Sequence, residues 1–184
     1  RGQILDIETI RKTMEVLHSH GLLSVILIGG GEPTLHKDFG KIVRDAKNRK
    51  LQVGIVTNGS RMDRIEEVVE ELEEKDWIRI SIDAAREETF RDLHRPKTRE
   101  GLTRILEGAR RVKEKNPRVS MGYSFVIIWE GAEANGNRLR PNLEEISEAA
   151  ELAGRYSFDY LSLKPCLVRL EDTQRESLLD KVDP

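Results

Sequence analysis

Three groups of polar residues follow three short apolar runs, and each group carries chemistry. Gly29-Gly30-Gly31-Glu32-Pro33 comes directly after Val25-Ile26-Leu27-Ile28, Thr57-Asn58-Gly59 closes a run from Val53 to Val56, and Ser81 and Asp83 bracket the end of a run from Ile78 to Ile82. A β-branched run ending in glycines reads as a buried strand whose tip lets a ligand approach the main chain. The glycines are contiguous, and no Gly-Lys-Ser/Thr follows, so neither the P-loop nor the spaced dinucleotide fingerprint is met. A carboxylate beside them repels phosphate. With glycine carbonyls it suits a cation, above all an α-ammonium group held by charge-assisted hydrogen bonds. Plain structural alternatives stand beside these readings: a tight turn with an exposed Glu32, turn chemistry at Thr57-Asn58, and an Asp83 that caps the turn after its strand.

These groups need elements that bring them to one place. Ile7, Ile10, Met14 and Leu17 share a helical face, and His20-Gly21 closes that helix. Helical stripes recur at Phe39, Ile42, Val43 and Ala46, at Ile65, Val68, Val69 and Leu72, at Leu102, Ile105, Leu106, Ala109 and Val112, and at Leu143, Ile146, Ala150 and Ala153. Between them lie apolar runs at 25–28, 53–56, 78–82, 121–128 and 160–163. Strands alternating with amphipathic helices build a parallel sheet covered by helices, and such sheets bind ligands beyond the carboxyl ends of their strands. All three polar groups sit at those ends. The polar segment from Glu130 to Pro141 is expected to be a long loop on the same rim. The first helix has no strand ahead of it, so a strand and loop are expected upstream of Arg1.

Composition narrows the function classes. The 184 residues fit one domain, and a net charge of -2 gives no general signature of nucleic-acid or membrane partners. No apolar run reaches the roughly 20 residues of a bilayer span. A single cysteine, Cys166, excludes an internal disulfide and suits the cytoplasm. His18, His20, His36 and His94 show no metal-ligand spacing.

Gly-Gly-Glu-Pro-Thr-Leu after the first strand, Thr57-Asn58-Gly59 after the second and Ser81-Ile82-Asp83 after the third together resemble the core of the radical S-adenosylmethionine (SAM) superfamily. The resemblance covers roughly residues 3 to 166 and is nearest to the molybdenum-cofactor GTP cyclase and SPASM-type peptide-modifying branches. It implies a partial (β/α)6 TIM-like barrel, core residues 1–168, with a C-terminal extension starting at 169; the residues themselves read as the start of a further helix near Glu176 to Leu179. It implies that Gly30, Gly31 and Glu32, with Pro33 completing the stretch, bind the SAM amino group. Ser81 and Asp83 would contact its ribose or carboxylate, Arg95 its carboxylate, and Ser124 would face the cavity. Pro165, ending the last barrel strand, would pack near the adenine, while Thr57 and Asn58 line the substrate side. The implied activity is reductive cleavage of SAM to a 5′-deoxyadenosyl radical that takes hydrogen from a small-molecule or peptide substrate. That activity calls for a [4Fe-4S] cluster and an electron donor.

The departure from the family is the cluster motif. Superfamily members hold it with Cys-x-x-x-Cys-x-x-Cys after the first strand, and Cys166 alone, on another element, does not replace three thiolates. No metal ligand is expected in this chain; the cluster cysteines are expected upstream of Arg1, and the chain alone is expected to be inactive. The competing reading is a degenerate, cluster-free barrel that binds a nucleotide or a partner.

Overall fold

The computed structural model describes residues 4–96, 101–134 and 137–166. In chain order the elements are α1 (Ile7–Ser19), β1 (Ser24–Leu27), α2 (Phe39–Asn48), β2 (Gln52–Thr57), α3 (Met62–Glu66), β3 (Trp77–Ser81), α4 (Glu87–His94), α5 (Leu102–Lys115), β4 (Ser120–Ile127), β5 (Glu133–Ala134), β6 (Asn137–Arg138), α6 (Ile146–Arg155) and β7 (Tyr160–Pro165). Five strands pair in the order β1-β2-β3-β4-β7, all parallel, and β5 and β6 form a small antiparallel ribbon. Strand order equals chain order. Right-handed crossovers that always step in one direction put every helix on the same face, the arrangement of a partial (β/α) barrel. The expected fold class is therefore the observed one. The positions 168–169 and 176–179, where a domain boundary and a further helix are expected, lie outside the described residues.

Alternation along the strands separates two faces. Val53 and Ile55 of β2, Ile78 and Ile80 of β3, and Met121, Tyr123 and Phe125 of β4 are fully buried, as are Val43, Ala46, Ile65, Val68, Ala109 and Val112 from the helices that cover them. Each such large side chain contributes about 2 kcal/mol by leaving water. The opposite, inner face is more open and more polar. Ser81 pairs with Ser124 and Ser124 with Ser162, so one row of three serines crosses it. Toward the amino ends of the strands that face is closed by rings. Trp77 lies beside Gly54 and Tyr160 beside Gly122, and a Cβ on either glycine would overlap the neighbouring ring. The Arg79 guanidinium stands 5.7 Å from the centroid of the Trp77 ring, within cation–π range.

Beneath this floor, Asp76 is fully buried and accepts hydrogen bonds from the Val53 amide at 2.6 Å, the Glu73 amide at 2.7 Å and Lys47 Nζ at 2.6 Å. One carboxylate thus fixes the starts of β2 and β3 against α2. β1 forms one edge, with Ile26 and Ile28 exposed on the inner face.

Several elements differ from the expected pattern. The stripe 65–72 is not one helix: α3 stops at Glu66 and a 3-10 turn, Val69–Glu71, follows. Asn116 Nδ2 donates to the carbonyls of Val69 and Leu72 at 2.7 and 2.8 Å, partners that compete with helix continuation. Helix α4 has no counterpart in the expected pattern. The segment 130–141 carries the β5–β6 ribbon, and the helix expected from Leu143 opens with a 3-10 turn, Leu143–Glu145, before α6.

Candidate functional site

The glycine run leaves β1 and ends at Glu32, whose extended backbone caps a 3-10 turn, Pro33–Leu35. Pro33 sits where a helical turn leaves an amide unpaired, so its missing N–H costs nothing there. The Glu32 carboxylate is held from two strand tips. Oε1 accepts from the Thr34 amide at 3.1 Å, the Thr34 hydroxyl at 2.6 Å and the Thr57 hydroxyl at 2.7 Å. Oε2 accepts from the Asn58 amide at 2.7 Å. A carboxylate offers about four lone-pair positions, so Oε1 is saturated and Oε2 keeps capacity for one more donor. A Cβ built on Gly30 or Gly31 would meet nothing within 4 Å, so the space over their backbone is open.

Thr57 is 2% exposed, and its oxygen also accepts the Gly59 amide at 3.1 Å. Its hydroxyl is directed to Glu32. Asn58 is exposed, and its Oδ1 closes the turn by accepting from the Ser60 amide at 2.9 Å. Gly59 is required twice over: its φ is +75°, and a Cβ there would come within 2.7 Å of Ile105 Cγ2. The turn that presents Thr57 is thus seated on α5.

At the next tip, the amides of Ile82 and Asp83 both reach the Ser124 carbonyl at 3.1 Å, and Asp83 turns the chain with φ +57°. Aspartate tolerates this left-handed geometry better than most residues. Its Oδ1 accepts the Val126 amide at 2.7 Å, and its Oδ2 lies 3.3 Å from His94 Nε2. The His94 ring stacks on Phe90 with centroids 4.7 Å apart. Asn142, 2% exposed, donates from Nδ2 to the carbonyls of Asp83 and Val126 and accepts the Ile128 amide on Oδ1. The Asp83 carboxylate is hydrogen-bonded into the sheet and lies next to His94. The hydroxyl-bearing residues on the inner face at this level are Ser81, half-buried, and Ser124, 5% exposed.

Glu145 is buried and accepts the amides of Ala85 at 2.7 Å and Arg86 at 3.0 Å together with the Thr89 hydroxyl at 2.5 Å, so it fixes the amide end of α4 from another element. The Tyr123 hydroxyl donates to the Ala84 carbonyl, and burial raises the Tyr123 pKa. Arg95 lies beyond α4 with φ +44° and lines a cleft with Arg138 and Arg140. Among the described residues, no hydrogen bond or ion pair joins it to Glu32 or to Ser81. Pro165 ends β7 in an exposed position opposite Ile127. Cys166 follows it; burial pushes its thiol pKa up, and Asp83 adds to the shift.

Of the residues singled out in the sequence, Glu32, Thr57 and Asn58 form one hydrogen-bonded cluster, and Ser81, Asp83 and Ser124 meet at a second. Thr34, Asn142 and Glu145 were not anticipated. The partners of Asn142 and Glu145 lie in other segments, whereas Thr34, two residues after a capping Glu, is a local signal.

Among the described residues no three or more His, Cys, Asp or Glu side chains converge as a metal site, and no helix is long and apolar enough to cross a membrane. With one cysteine in the sequence, these side chains do not fit a [4Fe-4S] cluster. They do fit an ammonium-bearing ligand: a partly buried carboxylate with a free acceptor position, next to open glycine backbone.

The sequence matches the family model described as "Radical SAM superfamily" over residues 1–131. It is 39% identical over 75 residues to an S-adenosylmethionine-dependent nucleotide dehydratase of Selenomonas ruminantium, covering 40% of this chain and 27% of that protein. It is 34% identical over 76 residues to an S-adenosyl-L-methionine-dependent tRNA 4-demethylwyosine synthase of Pyrococcus horikoshii, covering 41% of this chain and 22% of that protein. The fold resembles Streptococcus suis SuiB bound to the precursor peptide SuiA, with TM-score 0.68 and 16% identity, over 90% of this chain and 34% of that one. The chain thus spans 22% to 34% of these three proteins.

Proposed function

The chain belongs to the radical SAM superfamily, and from that premise we propose that it is the SAM-binding part of an enzyme that takes hydrogen from a small-molecule or peptide substrate. The observation that carries this reading is the Glu32 carboxylate, anchored by Thr34, Thr57 and Asn58 with one acceptor position left on Oε2. When bound, SAM supplies the superfamily's one-electron cleavage chemistry, which draws on an external electron donor and on a [4Fe-4S] cluster that these side chains do not ligate.

The chain's own residues bind and orient. Glu32 takes the methionine ammonium group, with the carbonyls of Gly30 and Gly31 as further acceptors and Pro33 fixing the approach of the turn. Preorganisation matters here, because a carboxylate already held in place loses little freedom on binding. Ser81 and Ser124 offer hydroxyls on the inner face to a ribose. Asp83 acts through the backbone it fixes, holding the β3 tip against β4. Thr57 and Asn58 support Glu32, and the exposed Asn58 side chain is the one that borders the substrate space. Pro165 packs at the rim on the β7 side. Glu32 moves no proton in this scheme.

Calorimetry with SAM and with 5′-methylthioadenosine, which lacks the amino-acid part, tests the assignment. Glu32→Gln keeps the shape and removes the charge. We expect SAM affinity to fall about tenfold or more, as loss of a charge-assisted contact implies, and methylthioadenosine affinity to stay unchanged. Equal losses for both ligands, or no loss for either, overturns the role of Glu32.

A further inference from the structure

The two additions to the plain βα repeat, α4 and the β5–β6 ribbon, meet on the rim at the carboxyl ends of the strands. Between them lies a cleft of about 300 Å³ lined by Arg91, Asp92, Leu93, Arg95, Arg138, Leu139 and Arg140. Its walls are braced by ion pairs. Arg140 Nη1 lies 2.7 Å from Asp92 and 2.8 Å from Glu88, which ties the segment after the ribbon to α4, and Arg91 Nε lies 3.1 Å from Glu87. These contacts use the cleft's aspartate and the flanking glutamates. Arg95 and Arg138 form no ion pair with a described acidic side chain and both are exposed; Glu133 is the residue opposite Arg138 in the ribbon. The cleft therefore keeps two guanidinium groups outside any ion pair with a described residue, Arg95 from the end of α4 and Arg138 from the ribbon.

We propose that this cleft binds a phosphoryl group of the substrate. A carboxylate presents both oxygens along one edge and satisfies one guanidinium fork. A phosphoryl group presents oxygens in several directions and suits forks that come from different elements. Leu93 and Leu139 give an apolar lining for the body that carries the group. The placement follows from Asp83: the same residue that fixes the β3 tip contacts His94, adjacent to Arg95 in the chain. An anion held by Arg95 would thus lie on the same rim as the strand tips assigned to SAM. Only the word substrate rests on the proposed SAM enzyme; binding is measured without SAM.

The test is calorimetric titration of the whole chain with inorganic pyrophosphate, uridine 5′-triphosphate, uridine and citrate. Pyrophosphate and the triphosphate are expected to bind, with affinity falling as salt rises, and uridine is not. Arg95→Gln and Arg138→Gln are each expected to weaken pyrophosphate binding about tenfold, the scale of one charged hydrogen-bonding group. Arg138→Lys, which keeps the charge and loses the fork, is expected to fall between wild type and Arg138→Gln. Both side chains are exposed, so an unchanged thermal midpoint verifies the fold. Glu32→Gln is expected to leave pyrophosphate binding intact, which separates failure at the cleft from failure of the SAM assignment. Wild-type affinity in both glutamine variants, citrate binding as tight as pyrophosphate, or variants that weaken SAM instead of pyrophosphate would each overturn the proposal.

Discussion

The Thr57 hydroxyl donates to Glu32 Oε1 at 2.7 Å, so the tip of β2 holds the carboxylate offered at the tip of β1. Thr57 is buried and Glu32 partly open, which makes the pair a supporting residue and a presenting one. Thr57→Val, close in shape and without the hydroxyl, should lower stability by about 1 kcal/mol and loosen Glu32. We expect weaker SAM binding by calorimetry in Thr57→Val and near wild-type binding in Thr57→Ser.

Asp76 and Lys47 form the most deeply buried ion pair described, with their side chains 0% and 11% exposed. Removing one partner leaves a charge in the interior and costs about 3–5 kcal/mol. Lys47→Met should show a loss of that size in urea denaturation, with Asp76→Asn milder because the amide keeps one acceptor for the Val53 or Glu73 N–H.

The same pair gives a pH dependence. Desolvation lowers the Lys47 pKa, but hydrogen bonds to Asp76 and Glu73 outweigh it and leave the folded-state value raised. A raised pKa means that the stabilisation is complete below the ordinary lysine value, near 10.4, and is lost as pH climbs through the folded-state value. Denaturation midpoints measured between pH 9 and 11.5 should fall more steeply for wild type than for Lys47→Met.

Cys166 titrates upward because it is partly buried, with Asp83 contributing. Since the thiolate is the nucleophile, alkylation by iodoacetamide should be slow at pH 7. Its rate should reach half its maximum above the free-cysteine value of roughly 8.5. A midpoint at or below that value would contradict the environment described for this residue.

The Tyr160 ring occupies the space that a side chain at Gly122 would take. Gly122→Ala should cost about 1–3 kcal/mol through overpacking. Combining it with Tyr160→Leu should recover part of that loss in a double-mutant cycle, because the two positions share one volume.

The sheet was legible because Val53, Ile55, Ile78, Ile80 and Met121 announce themselves as buried runs, and the Gly29–Glu32 turn is a local feature. Helix α4 was not, since eight residues bury only Thr89 and Phe90 and leave too short a stripe to see. What holds α4 is Glu145, 56 to 60 residues away, and what breaks the helix after α3 is Asn116, more than 40 residues away. Neither follows from periodicity. At the site, Glu32 as an anion at a strand tip was readable, whereas its capture by Thr57 and Asn58 required the parallel register of β1 and β2.

Residues 140–145 govern one quadrant of the rim. Arg140 clasps the outer side of α4, Asn142 knots the tips of β3 and β4, and Glu145 takes hold of the amides where α4 begins. We expect that stretch to be transferable: grafted with its matching helix onto a related barrel, it should carry the rim's posture along while the repeating units underneath stay as they are.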